Sequence, residues 1–194
     1  IFDCLVGSEM CIRDSHNIST IFQEIDLHDE LTVSKNISGC HFTSNVSWLH
    51  NDQSNLCVIA YNHMKDLYGI KGINILLTKN ISKGSGLGSG SSNAAAVLKS
   101  ISKIYDLNVS IEDMIEIGSK IGADVPFFIK GGTQIGEGIG EKLIGLKSAI
   151  KGWYLIITPD FYIDTKWAYS QLKNTLNNGP LPTKFSDLFS EKIV

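Results

Sequence analysis

Gly84 to Ala94 reads G-S-G-L-G-S-G-S-S-N-A and runs directly into an apolar pattern of helical spacing. Four glycines (Gly84, Gly86, Gly88 and Gly90) and four serines (Ser85, Ser89, Ser91 and Ser92) therefore crowd the mouth of a helix. Glycine admits φ > 0 and lets a backbone come close to a ligand, while the free N–H groups and dipole of a first helical turn favour a polyanion. The stretch reads as a phosphate cradle, with Ser82 and Lys83 leading into it and Leu87 at its centre. It is not a Walker A loop, since no G-K-[ST] closes it, and not a dinucleotide fingerprint, since Ser or Asn stands where the third glycine should be. Nor is it a nucleophile elbow, because no serine has a glycine two residues away on both sides. The bland alternative is a flexible Gly/Ser linker; a position between a strand and a helix argues against it.

On the near side of the loop, Ile73, Ile75 and Leu77 alternate as a strand that delivers the chain to it. On the far side Ala94, Val97, Leu98, Ile101 and Ile104 make one apolar stripe, so this helix packs on a sheet and keeps its N-terminus for ligand. Upstream, Asn55 caps a helix with Leu56, Ile59, Ala60, Met64 and Leu67 on one face, ended by Gly69. Ile21 to Val33 and Gly39 to Val46 read as strands of an antiparallel sheet. Downstream, Ser110 followed by Asp113 resembles a capping box and opens a helix through Met114, Ile115 and Ile121. Val125 to Lys130 and Thr133 to Ile135, joined by Gly131-Gly132, read as a hairpin. Trp153 to Thr158 reads as a strand stopped by Pro159, and residues 174 to 190, with Gly179-Pro180 and Pro182, as a connector. Strands followed by interleaved helices imply an α+β layer structure, without internal repeats.

The 194 residues, 43% hydrophobic and 19% charged, are ordinary for a globular protein and exclude a disordered chain. A formal net charge of −3 gives no sign of a nucleic-acid or anionic-membrane partner, so phosphate binding has to be local to the loop. No run of 18 apolar residues is present, so no membrane span is expected. Cys4, Cys11, Cys40 and Cys57 are widely spaced, without C-x-x-C or paired histidines at metal spacing, and are expected to be free thiols in a reducing cytoplasm. His63 falls on the apolar side of its helix and is expected to be a satisfied core histidine.

The glycine loop resembles the second motif of the GHMP kinases, P-x-x-x-G-L-G-S-S-A-A, and in particular a branch that writes G-G-G-L-G-G-G-S-S-N-A-A. Four more stretches agree with that branch in the family's order: H-N-I-S-T-I-F-Q-E-I-D-L-H-D-E-L-T from His16, I-G-A-D-V-P-F-F from Ile121, E-G-I-G-E from Glu137, and W-Y-L-I-I-T-P from Trp153. The resemblance implies an ATP-dependent small-molecule kinase whose acceptor is a cytidine diphosphate-linked methylerythritol. It implies an N-terminal lobe like domain 2 of ribosomal protein S5 over residues 16–150, and the beginning of a ferredoxin-like lobe over residues 151–194. A GHMP kinase for another alcohol (homoserine, mevalonate or a sugar) and a catalytically dead nucleotide-binding module are the rivals. The asparagine of S-S-N-A-A, the I-G-A-D-V-P-F-F run and the His16 stretch favour the first.

Kinase chemistry needs a nest for the ATP phosphates, a metal to neutralise them and a group to orient and deprotonate the acceptor hydroxyl. Residues 82 to 92 supply the nest, and a hydroxyl of Ser91 or Ser92 suits Mg²⁺, a hard ion that prefers oxygen; Ser91 is the candidate ligand. Either serine could instead be a plain N-cap of the following helix. Asp124 lies in G-A-D-V-P, between a helix ended by Gly122 and Pro126. From its setting alone it could be an Asx turn; the resemblance makes it the catalytic base. The resemblance further implies that His16 contacts the cytidine side of the substrate, that Tyr169 stacks on cytosine and that Thr165 lies near the same pocket. Tyr169 could also be an ordinary half-buried tyrosine.

Two departures stand beside these matches. The family's first strand, P-A-K-I-N-L, carries a lysine that partners the catalytic aspartate, whereas residues 1–15 contain only Arg13 as a cation. These residues are expected to be a foreign lead. Val194 closes the sequence before a third glycine-rich motif, and the chain as it stands is expected to be inactive.

Overall fold

The computed structural model describes residues 4–6, 18–138, 142–146 and 152–157. Its elements are β1 (Cys4–Val6), β2 (Ile18–Gln23), β3 (Glu30–Asn36), β4 (Gly39–Ser44), α1 (Leu56–Tyr68), β5 (Gly72–Thr78), α2 (Ser89–Ile104), α3 (Ile111–Ile121), α4 (Val125–Lys130), β6 (Thr133–Gly138) and β7 (Lys142–Gly145). The α+β expectation holds. Among the described residues there are two sheets, ordered β1-β2-β6-β7 and β3-β5-β4.

The loop is delivered as its sequence predicts. Ile73, Ile75 and Leu77 on β5 are buried and alternate with exposed Asn74 and Leu76. Along α2, Ala94, Val97, Leu98 and Ile101 are buried in the same cluster as α1 and α3 side chains, and Ile104 packs on its margin. Asn55 caps α1 by accepting from the Cys57 N–H, and Gly69 ends it in the left-handed region at φ 64°. The buried face of α1 is Cys57, Val58, Ala60, Tyr61 and Met64. Leu67, expected on that face, is 59% exposed, because the chain turns away at Gly69 before the last turn can be covered.

Three sheet expectations are corrected. Ile21 to Val33 is not one strand: β2 and β3 belong to different sheets, and the chain between them turns where Asp29 engages the backbone of Asn80 and Ile81. β4 pairs in parallel with β5, with α1 as the crossover, instead of pairing antiparallel with its predecessor β3. β5 inserts between β3 and β4, so the two-residue turn joining those strands must pass over the start of β5. Gly72 makes that possible: a Cβ there would lie 2.4 Å from the Ser38 carbonyl carbon. Finally, Val125 to Lys130 is helix α4, not a hairpin arm. A short apolar run does not distinguish a buried strand from a buried helical turn. Pro126 sits in the first helical turn, where its missing N–H costs nothing, and Val125 through Ile129 are all buried. Phe127 packs edge-on to Phe128 at 5.0 Å and against Phe22 of β2 at 5.1 Å.

Thr133 does begin a strand, β6, paired antiparallel to β2 with Ile21 opposite Ile135. Cys4–Val6, inside the lead expected to be foreign, pairs antiparallel with Ile21–Gln23, where the family resemblance expects a first strand. The described part of the stretch from Trp153, by contrast, is irregular, with Trp153 fully exposed and Leu155 88% exposed. A strand exists only as paired backbone, and no described residue pairs with this one. Residues 174–190 lie outside the described residues.

Candidate nucleotide site

Gly84, Gly86 and Gly88 all take the left-handed conformation, at φ 73°, 74° and 59°. Alternation of such residues with ordinary ones folds the loop back on itself and turns successive N–H groups to one side, the geometry of an anion nest. Helix α2 begins earlier than the apolar stripe shows: Gly88 is the N-cap and makes no side-chain cap hydrogen bond. The N–H groups of Ser89, Gly90 and Ser91 therefore precede the first intrahelical bond, which runs from the Ser92 N–H to the Gly88 carbonyl at 3.0 Å. The alternative that Ser91 or Ser92 is the N-cap is overturned, since both lie inside the helix. Ser92 is buried and Ser91 half-buried.

Two adjoining cavities open on this loop. One, of about 240 Å³, is lined by Ser82 and the run from Gly84 to Ser91 with Leu56. The other, of about 230 Å³, is lined by Trp48, Leu49, Asn55, Leu77, Lys79, Lys83 and Asn93 among others, and shares Leu56, Gly84, Ser89 and Gly90 with the first. The Lys83 ammonium lies 5.3 Å from the centre of the Trp48 ring, at cation–π range. Trp48 and Asn55 carried no functional expectation from the sequence. A tryptophan in a polar, irregular stretch (N-V-S-W-L-H) gives no sign of which cavity it will line.

A buried ion pair lies behind the loop. Asp29, between β2 and β3, meets the Lys79 ammonium at the end of β5, with side chains 1% and 5% exposed. Asp29 also accepts from the N–H groups of Asn80 (2.8 Å) and Ile81 (2.9 Å) and from the Asn93 amide (2.9 Å), and Lys79 donates to Ser89 Oγ (2.8 Å). Burial by itself would raise the Asp29 pKa, but the donors from Lys79, Ile81, Asn93 and Asn80 outweigh it and hold the carboxyl below its usual 3.8. Cys57, on the wall of the second cavity, is pushed up to about 12 by burial and then by Cys40, which burial raises to about 11. Both thiols are free and stay protonated at neutral pH, so neither is a nucleophile there.

Asp124 is the N-cap of α4, exposed, with φ −88° and ψ −12° and no side-chain cap hydrogen bond. Its turn abuts the loop: a Cβ on Gly122 would lie 3.6 Å from Ser91 Oγ. Ser91, the glycine loop and the Asp124 turn are thus brought together. His16, Thr165 and Tyr169 lie outside the described residues. Among the described residues no group of three His, Cys, Asp or Glu could hold a metal ion. A hydroxyl such as that of Ser91, with phosphate oxygens and water, is a donor set that Mg²⁺ accepts. No helix among the described residues is long and apolar enough to cross a membrane.

Comparison with known proteins agrees with this geometry. Residues 55–132 match the family model of the GHMP kinases N terminal domain. The chain is 42% identical over 159 residues to a 4-diphosphocytidyl-2-C-methyl-D-erythritol kinase of Caldicellulosiruptor bescii, covering 81% of this chain and 56% of the relative. It is 38% identical over 177 residues to the protein of the same name from Geobacter metallireducens, covering 89% and 63%. A crystal structure of 4-(cytidine 5'-diphospho)-2C-methyl-D-erythritol kinase superposes with a TM-score of 0.67 at 31% identity, over 86% of this chain and 59% of that one. A homoserine kinase from Cytophaga hutchinsonii, at TM-score 0.56 and 20% identity, shares the fold. The chain spans little more than half the length of the curated relatives it matches. With a left-handed glycine loop opening α2 and the Asp124 turn set against it, the chain belongs to the GHMP kinase family.

Proposed function

We propose that the protein to which this chain belongs transfers the γ-phosphoryl group of ATP to the 2-hydroxyl of 4-diphosphocytidyl-2-C-methyl-D-erythritol, a cytoplasmic step of non-mevalonate isoprenoid synthesis. The observation that carries the proposal is the meeting of three features: a loop whose three left-handed glycines open α2, two adjoining cavities along it, and an aspartate turn beside Ser91. The first cavity suits a polyphosphate and the second, walled by Trp48, Leu49 and Leu77, suits a purine ring. The loop N–H groups hold the phosphates in line, and bound Mg²⁺ would neutralise charge on them, with Ser91 as the candidate protein ligand. Asp124 accepts the proton of the acceptor hydroxyl as its oxygen bonds to phosphorus, and ADP leaves. His16, Thr165 and Tyr169 are assigned to the cytidine side through the sequence motifs alone.

Relatives at 38% and 42% identity carry the cytidyl enzyme's name, whereas the homoserine kinase likeness at 20% speaks for the fold only. The test completes the chain with the missing segments of a relative and compares ATP-dependent turnover of the cytidyl alcohol with that of homoserine and mevalonate. Selective phosphorylation of the cytidyl alcohol is expected. Turnover of another alcohol, or ATP binding with no turnover at all, would overturn the proposal.

A further inference from the structure

The ion pair behind the loop is joined to the chain on both sides of it. Residues 82–88 enter from Asn80-Ile81, whose N–H groups donate to Asp29 Oδ1, and leave into α2. There Asn93 donates to Asp29 Oδ2, and Ser89 accepts from the Lys79 ammonium that Asp29 neutralises. One carboxylate therefore ties the entry and the exit of the loop to a common point. That point comes from a segment about fifty residues earlier in the chain.

We infer that Asp29 is a positioning residue for nucleotide binding, holding the two ends of the glycine loop at the separation in which its N–H groups converge. The inference rests on the loop being the nucleotide site. Three glycines in seven residues make a chain with many alternative conformations, and each would have to be given up on binding. Fixing the loop's ends beforehand removes part of that cost from the binding step. An aspartate suits the task because its two oxygens accept several donors at once, and hydrogen bonds to a charged acceptor are the stronger kind. Lys79 balances the charge that burial would otherwise make expensive. Asp29 lines neither cavity, so its action on a ligand runs through the loop.

The test is calorimetric titration of the full chain with ATP and Mg²⁺, paired with the thermal midpoint of each variant. In Asp29→Asn one oxygen remains for the Asn80 and Ile81 N–H groups, while an amide NH₂ faces Lys79 and Asn93. Affinity is expected to fall at least about tenfold, the equivalent of one lost hydrogen bond to a charged group, in protein still folded at the assay temperature. Asn93→Leu keeps the ion pair and is the second variant should Asp29→Asn not fold; a loss of about three- to tenfold is expected, and because Asn93 also lines the second cavity it supports the inference only together with faster exchange of the loop amides. Native-state hydrogen exchange supplies the readout that a merely structural role would not move. The bonded amides at the loop, Leu87 N–H on Ser85 Oγ and Ser92 N–H on the Gly88 carbonyl, should exchange faster in the variants at a temperature where core amides such as Leu98 do not. Unchanged ATP affinity in variants of a chain that binds ATP would overturn the positioning role and leave the nucleotide site standing. A wild-type chain that binds no ATP would instead overturn the nucleotide site itself.

Discussion

Replacing Gly88 by valine tests whether the left-handed backbone of the loop is what binds the nucleotide. Gly88 sits at φ 59°, ψ 16° as the N-cap of α2, and its carbonyl takes the first intrahelical bond, from Ser92. A β-branched residue held there costs of order 1–3 kcal/mol. The chain can avoid that cost only by leaving the conformation that aims the Ser89, Gly90 and Ser91 N–H groups. If the binding-competent loop becomes disfavoured by that amount, apparent ATP affinity drops roughly 5- to 150-fold, since each 1.4 kcal/mol is a factor of ten. Gly88→Asn should lose far less, because asparagine visits the left-handed region with its short polar side chain. Gly69 is the control: it ends α1 at φ 64° with nothing within 4 Å of a built Cβ. Gly69→Val therefore introduces the same kind of strain away from the loop. Titration with ATP–Mg²⁺ should rank wild type, Gly69→Val and Gly88→Asn together and Gly88→Val well below, while the thermal midpoint falls in both valine variants. Equal affinity in Gly88→Val and wild type would refute the cradle.

Three further outcomes follow from the structure. In protein completed with a relative's missing segments, Asp124→Asn should lower kcat by about 10²–10⁴-fold with little change in KM, because a general base acts on the transition state; near-normal kcat would remove Asp124 from the chemistry. The Asp29 carboxyl is held below its unfolded value of 3.8, so its contribution to stability is present above about pH 4 and is lost as pH falls through the lower folded value. Thermal midpoints measured from about pH 5 to pH 2.5 should fall less steeply in Asp29→Asn than in wild type, and parallel curves would contradict the coupling. Ser110 accepts from the Asp113 N–H at 3.0 Å and caps α3, so Ser110→Ala should cost about 0.5–2 kcal/mol in urea unfolding. Removing the exposed Glu116–Lys120 pair of the same helix should cost less than about 0.5 kcal/mol, and the reverse order would be wrong for this structure.

The parts of the fold that were legible in the sequence are those decided by local chemistry. Asn55 and Gly69 bound α1, Ser110 opens α3 and the alternating isoleucines make β5, because a cap or a period-two pattern acts within a few residues. What could not be read locally is what distant chain decides. Nothing in V-P-F-F-I-K states whether it lies as a strand or a helical turn; its stacking on Phe22, more than a hundred residues earlier, accompanies the helical answer. Nothing in G-C-H-F-T-S states that its neighbour will be β5 in parallel; that follows from α1 crossing back and from Gly72 leaving room for Ser38.

The candidate site divides in the same way. Its glycines announced themselves, since only a loop needing φ > 0 and close backbone approach has cause to carry so many at a helix mouth. Asp29 and Lys79 did not. Each looks like an ordinary surface charge until the fold brings the start of β3 against the end of β5 and buries the pair. The register does that directly, setting Glu30 opposite Thr78 so that the residue before one meets the residue after the other. The same pairing that builds the three-stranded sheet thus delivers the carboxylate to the loop. A change that slipped the β3–β5 register by one residue would turn Leu31 and Val33 outward and also take Asp29 away from Asn80 and Ile81. Sheet pairing and the anchoring of the glycine loop's entry are consequently joined in one strand register, and neither can be altered there without the other.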